Sequence, residues 1–304
     1  MVVRPATRRT VLGGGAALAA SALASPLRAQ SPQILMRAIP SSGETISAVG
    51  LGTWITFNVG NDPVLRDECA AVMAAFFEDG GRMIDSSPMY GSSQPVIGYG
   101  LAKLGDAPVF SADKVWTSSD GPAQIEQSRR YWGVERFDLL QVHNLLAWQE
   151  HLKTLYAMKE AGQLRYVGIT TSEGRRHDLF EEIMRTEPLD FVQLTYNIVD
   201  REVEERLLPL AQDRGMAVIV NRPFQQGDLT HDLAGEPLPD WAAEIGAASW
   251  AQFILKFILA HPAVTVAIPA TTRVDHVREN LAAATGPLPD EAMRRRMVAY
   301  VAQL

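Results

Sequence analysis

The sequence predicts an α/β protein, a (β/α)8 TIM barrel preceded by a short β-hairpin. Two observations carry that prediction. Eight short apolar runs alternate with helix-length amphipathic segments from Ala48 to about Leu281, with no linker or low-complexity tract between them. Three of those runs end in a polar side chain of a kind that does chemistry, and a barrel opens its active-site mouth at the carboxyl ends of its strands. The rival architecture, an open doubly wound sheet, usually carries a Gly-x-Gly-x-x-Gly turn after its first strand. Here Gly50-Leu-Gly52-Thr-Trp54 has no third glycine and no helix directly behind it.

Taken in order, Leu35–Pro40 and Thr45–Ser47 flank the turn-rich Ser41-Ser-Gly-Glu44 and read as the hairpin. The eight strands follow at Ala48–Gly52, Arg82–Ser86, Val109–Ala112, Leu139–His143, Tyr166–Thr170, Phe191–Thr195, Ala217–Asn221 and Thr265–Pro269. Near-continuous apolar runs of this length suit parallel strands covered on both faces. Helical spacing fills the intervals, as in Gln149–Ala161, Arg176–Thr186, Glu202–Gly215 and Trp241–Ala260.

Composition narrows the function. A hydrophobic content of 47% over 304 residues, with a net charge of −7, describes an ordinary globular domain with a sizeable core. No basic stripe invites nucleic acid, and the acidic balance disfavours anionic membrane surfaces. Cys69 is the only cysteine, which excludes an internal disulfide and a thiolate metal cage, and its apolar helical setting predicts a buried structural thiol. The six histidines are scattered, so no metal site is expected.

The first residues are of another kind. Arg8-Arg9 precedes an Ala/Gly/Leu-rich run from Gly13 to Ala24, then Ser-Pro-Leu-Arg-Ala29. This resembles a twin-arginine export signal over residues 1–29, cleaved after Ala29, with the barrel domain occupying 30–304. The run is too short and glycine-rich for a membrane span, so no stable insertion is expected. The implied destination is the periplasm, where a redox partner would have to recycle any nicotinamide; the alternative is a cytoplasmic protein.

Asp85, Lys114 and His143 close the second, third and fourth strands, and Tyr90 follows Asp85 in Asp-Ser-Ser-Pro-Met-Tyr-Gly. Carbonyl reduction needs a hydride at carbon and a proton at oxygen. A phenol is a weak acid, with an ordinary pKa of about 10. A nearby ammonium lowers it, and a carboxylate keeps the ammonium charged. Lys114 and Asp85 suit those roles, Tyr90 that of acid, and His143 could orient the carbonyl oxygen.

Those four residues in that order, with Gly50-Leu-Gly52-Thr-Trp54 before them, resemble the aldo-keto reductase family from Ala48 to about Leu281. The resemblance implies a TIM barrel with an N-terminal hairpin plug, NADPH in preference to NADH, and a small-molecule carbonyl substrate. Gln94 stands where the family commonly has glutamate. Gln193-Leu-Thr-Tyr196 is similar to the segment that binds the carboxamide through Gln193 and stacks Tyr196 on the nicotinamide. Gly168-Ile-Thr170-Thr171-Ser172 matches a segment usually reading Gly-Val-Ser-Asn, with Thr171 in place of the asparagine. The run from Ile268 to Asn280 resembles the adenosine-phosphate segment, so Thr272 is expected to bind the cofactor, Arg273 to pair with the 2′-phosphate, and Glu279 and Asn280 to face the adenine. Arg222 departs from the usual Ser-Pro-Leu and is placed near a phosphate or the substrate. Trp54, Met89 and Trp116 are candidate pocket walls. Two other readings remain: a nicotinamide-binding regulatory or sensor subunit with slow turnover, and a barrel isomerase or aldolase using Lys114 as a Schiff-base amine.

Overall fold

A computed structural model describes residues 1–3 and 34–304. The export signal read over residues 1–29 therefore lies, beyond its first three residues, outside the described residues. The chain divides into Met1–Ser31 and Pro32–Leu304, and every element below belongs to the second unit.

The hairpin forms as β1 (Met36–Ala38) and β2 (Thr45–Ser47), antiparallel with Arg37 opposite Ile46. Its turn needs a left-handed residue, and Gly43 supplies one at φ 77°. The barrel strands are β3 (Leu51–Gly52), β4 (Met83–Asp85), β5 (Phe110–Val115), β6 (Phe137–Val142), β7 (Leu164–Thr170), β8 (Phe191–Thr195), β9 (Ala217–Asn221) and β10 (Val264–Ala267). Each is parallel to the next. Bridges from Val49 to Ala267 and from Gly52 to Ala270 join the first strand to the last. At that seam a Cβ on Gly52 would sit 2.7 Å from the Ile268 carbonyl oxygen, so only glycine lets the strands meet.

Helices cover the outside: α1 (Pro63–Glu78), α2 (Ser93–Leu104), α3 (Gly121–Trp132), α4 (Trp148–Glu160), α5 (His177–Thr186), α6 (Leu207–Asp213), α7 (Asp228–Asp232), α8 (Trp250–Leu259), α9 (Val274–Ala282) and α10 (Glu291–Val301). Two helices are shorter than their periodicity predicts. Pro209 cannot sit deep in a helix, so α6 starts only two residues before it, behind a separate 3-10 turn at Glu202–Glu204. Gly246, left-handed at φ 64°, ends a 3-10 turn at Asp240–Ile245, and α8 begins afresh with Ser249 as its cap.

Side chains alternate along each strand, and the inward set is graded. Towards the amino-terminal end Met83, Phe110, Leu139, Tyr166, Phe191, Ala217 and Val266 pack with Ile39 and Ile46 of the hairpin in one buried cluster. Tyr166 Oη lies 2.7 Å from Glu44, and Arg165 pairs with both Glu44 and Asp138, which pins the hairpin across that end. Towards the carboxyl end the inward positions turn polar: Asp85, Lys114, Gln141, Thr170, Gln193 and Asn221. Apolar filling at one end and polar filling at the other fix which end is the mouth.

Candidate active site

Asp85 is the hub of that polar layer. Lys114 Nζ donates to Asp85 Oδ1 and, at 2.8 Å, to the Ser86 carbonyl. Gln193 Nε2 and Gln141 Nε2 donate to Asp85 Oδ2 at 2.9 and 3.2 Å. Thr53 Oγ1 holds the Asp85 carbonyl at 2.8 Å. Asp85 and Lys114 are both buried, and a buried pair is tolerable only when its remaining hydrogen bonds are made, as they are here. Burial works against the ammonium of Lys114, yet Asp85 and Tyr90 outweigh it, and its pKa is raised.

Tyr90 stands in the loop after β4, its ring centroid 5.0 Å from Lys114 Nζ. It meets His143 edge-on, with centroids 5.8 Å apart and planes at 88°. Burial pushes its pKa up, and Lys114 draws it back only in part, so the net direction is upward. Lys114 acts in the expected direction, lowering the phenol's pKa, but desolvation of the phenolate is the larger influence. Tyr90 consequently rests with its proton in place.

His143 opens a short 3-10 turn (His143–Leu145) directly after β6. Its Nδ1 lies 2.8 Å from Ser87 Oγ. Burial, reinforced by the charge on Lys114, pushes its pKa down to about 2, so the ring is neutral. Ser87 Oγ also accepts from the Met89 amide at 3.2 Å. Where Ser87 gives its own proton to Nδ1, the neutral ring carries its proton on Nε2 as a donor.

The other expected residues divide. Thr170 Oγ1 accepts from the Asn144 amide at 3.0 Å, and Thr171 Oγ1 donates to the Arg175 carbonyl at 2.5 Å. Gln193 turns its amide to Asp85 rather than standing free. Arg222, left-handed at φ 49°, pairs with Glu173 at 2.5 Å and lies 5.8 Å from the Trp54 ring centroid. Tyr196 is a correction. Phe191, Gln193 and Thr195 are inward positions, so the next even position faces out. Its ring is buried against Phe257 and His261, and its hydroxyl is bonded to Glu204 and Arg294, each at 2.5 Å, leaving no face for a nicotinamide.

Thr272 and Arg273 are exposed at the start of α9, where no side chain caps the helix. Arg273 pairs there with Asp275 at 2.5 Å. Further along α9, Glu279 is half-buried and Asn280 buried. Trp54 is half-buried, while Met89 and Trp116 expose apolar surface on the loops after β4 and β5. Ile55 and Val199, also exposed on loops at strand carboxyl ends, were missed by sequence reasoning, as were Ser87, Gln141 and Glu173. Counting in twos back from the strand ends would have found Gln141; no local signal marks the others.

Fold and site together define a barrel enzyme built around a buried lysine–carboxylate pair and a protonated phenol. The chain belongs to the aldo/keto reductase family, whose model matches residues 48–297, and it is an NAD(P)H-dependent enzyme of that family. It is 27% identical to an NADH-specific methylglyoxal reductase of Escherichia coli over 68% of this chain and 73% of that protein. A second methylglyoxal reductase of the same bacterium is 28% identical over 80% of this chain and 88% of its own length. An aldo/keto reductase from Klebsiella pneumoniae, solved with NADP and acetate, superposes with a TM-score of 0.73 over 87% of this chain and 95% of that one, at 23% identity.

Proposed function

We propose that the protein is an NADPH-dependent carbonyl reductase that converts a small aldehyde or ketone to an alcohol, with Tyr90 as proton donor. The observation that carries the reading is the meeting of Tyr90, Lys114, Asp85 and His143 at the polar end of the barrel. Tyr90 holds a proton at its hydroxyl. Lys114, kept charged by Asp85, stabilises the phenolate left when that proton moves to the carbonyl oxygen. His143 offers Nε2–H to the same oxygen and orients it. When bound, the nicotinamide supplies the hydride.

Thr170, Thr171, Gln193 and Arg222 would line the nicotinamide and pyrophosphate side, and Thr272, Arg273, Glu279 and Asn280 the adenosine side. The residues fit a phosphate: the Arg273 side chain does not cap the start of α9, and its guanidinium is a fork-shaped donor beside that helix terminus. The same pairing supports NADPH over NADH, although one relative is named NADH-specific. Trp54, Met89 and Trp116 give an apolar rim, and two relatives named as methylglyoxal reductases support a small α-oxoaldehyde as substrate. Oxidation of NADPH and NADH against a panel of aldehydes and ketones tests this. Turnover of methylglyoxal or a similar carbonyl is expected, and failure on the whole panel would sink the reading.

A second reading is a nicotinamide-binding sensor subunit with slow turnover. It draws on the pairing of Arg222 with Glu173 and Arg273 with Asp275, contacts that a phosphate must displace. Tight cofactor binding without steady-state turnover would favour it. The Arg8-Arg9 pair further supports export through residues 1–29 to the periplasm and cofactor recycling there by a redox partner. Cell fractionation of the wild type beside Arg8→Lys/Arg9→Lys decides: uncleaved, cytoplasmic protein in both would discard it.

A further inference from the structure

A second carboxylate lies behind Lys114. Side chains alternate across β5, so Lys114 points into the barrel while Asp113, one residue earlier, points out towards α2 and α3. Asp113 is fully buried. Its Oδ2 accepts from Gln94 Nε2 at 2.6 Å, and the same amide nitrogen donates to Ser128 Oγ at 2.8 Å, so α2, α3 and β5 meet at this point. Oδ1 has no partner. A glutamate at position 94 would set two carboxylates face to face, whereas the amide of Gln94 makes the contact a hydrogen bond. The amide at 94 and the acid at 113 are therefore complementary.

Such a group destabilises the fold it sits in. Burial lifts the Asp113 carboxyl to about 7, against the opposing pull of the Lys114 amide, the Lys114 charge and Gln94. A half-satisfied buried acid kept at that cost calls for a function. The charged groups that bear on it are Lys114 and Asp85. α2 presents Gln94 and α3 presents Ser128, while β6 sets Leu140 beside it and the Glu126–Arg129–Arg130 group lies on the open side of α3. In this weakly screened interior its charge reaches both Lys114 and Tyr90.

We propose that Asp113, clamped by Gln94, is a positioning residue for the reaction: its buried charge on the far side of β5 holds Lys114 as an ammonium and makes Tyr90 keep its proton more firmly. The proposal rests on the carbonyl reductase reading. It predicts an effect on pH dependence that a purely structural role would not produce. Reduction needs the neutral phenol, so the rate falls on the alkaline side where Tyr90 ionises. Asp113→Asn keeps an oxygen for Gln94 but removes the charge, and should move that alkaline limb of kcat down by about half a pH unit or more.

The experiment measures kcat with NADPH, and with NADH, across pH on the full chain, for the best substrate found in the panel of aldehydes and ketones. Gln94→Glu/Asp113→Asn, which returns one charge to the pair, should move the limb back towards wild type. Asp113→Ser, also uncharged, stands in should Asp113→Asn fail to fold. Melting temperature gives a readout free of activity. Because the folded carboxyl is raised to about 7, its stabilising neutral form is lost as pH rises, so Asp113→Asn should melt above wild type at pH 8 and level with it near pH 4. A wild type that oxidises no NAD(P)H with any member of the panel overturns the functional reading and the proposal with it. An active wild type whose uncharged variants keep the same alkaline limb overturns the proposal alone.

Discussion

Lys114 Nζ lies 5.0 Å from the centroid of the Tyr90 ring, and the lysine takes its counter-ion from Asp85 on the neighbouring strand. The relationship is one of proximity to a cation within a buried setting, and the burial dominates: Tyr90 is protonated at rest. The lysine's contribution is greatest after proton transfer, when a phenolate exists to be stabilised. Tyr90→Phe removes the hydroxyl while keeping the ring that meets His143. kcat should fall by at least about a hundredfold, the scale of a positioned acid. Cofactor affinity, read by fluorescence quenching, should barely change, and retained turnover would remove Tyr90 from the mechanism.

Asp85→Asn tests the pair itself. Lys114 would keep its burial and lose its counter-ion, which costs on the order of 3–5 kcal/mol when one partner of a buried pair is removed. Urea denaturation at neutral pH measures it. Two further donors, Gln141 and Gln193, would lose a charged acceptor at the same time, so the loss should lie well above that of an exposed pair such as Arg295–Glu291. A change under about 1 kcal/mol would show that Lys114 escapes to solvent or sheds its proton.

Much of this site was legible because a barrel strand ends where its apolar run ends. Asp85, Lys114 and His143 were singled out near the ends of such runs, although β5 runs on to Val115 and His143 falls in the turn just after β6, and the eight runs anticipated the eight strands. What misled was parity and context. Tyr196 follows Gln193 by three residues, which on a strand of period two puts it on the opposite face, among the helices. Asp113 hid for the converse reason: beside a catalytic-looking lysine it reads as strand-end polarity, and only its contact with Gln94 shows it to be buried. The loop acid Glu173, left-handed at φ 58°, has no sequence signal that aims it at Arg222.

His143 should leave a signature in stability. Its folded pKa is pushed down to about 2, from an ordinary value near 6.5. Above that ordinary value neither state is protonated and the full stability is present. As pH falls below it, the unfolded chain gains a proton that the folded chain refuses, so stability is lost by about 2 kcal/mol between pH 7 and pH 5. His143→Gln removes this group from the balance. The difference in unfolding free energy between wild type and variant should therefore shrink by that amount on going to pH 5, and a constant difference would mean that His143 titrates normally.

Arg273 and Asp275 present the last test, on cofactor choice. Both side chains are mostly exposed and paired to each other across the uncapped start of α9. A 2′-phosphate arriving there must compete with Asp275 for the guanidinium, and solvent screens the gain. Arg273→Ala should thus weaken NADPH by only about three- to tenfold, less than a buried arginine–phosphate contact would lose, and leave NADH unchanged. Asp275→Asn should act the other way: with the internal competitor neutralised, Arg273 is released to the phosphate, and NADPH should bind more tightly while NADH again does not move. Titration of both variants with both cofactors separates the cases. If the two substitutions shift NADPH and NADH together, the pair only shapes the first turn of α9 and cofactor choice is made elsewhere; if they shift NADPH alone and in opposite directions, Arg273 reads the 2′-phosphate.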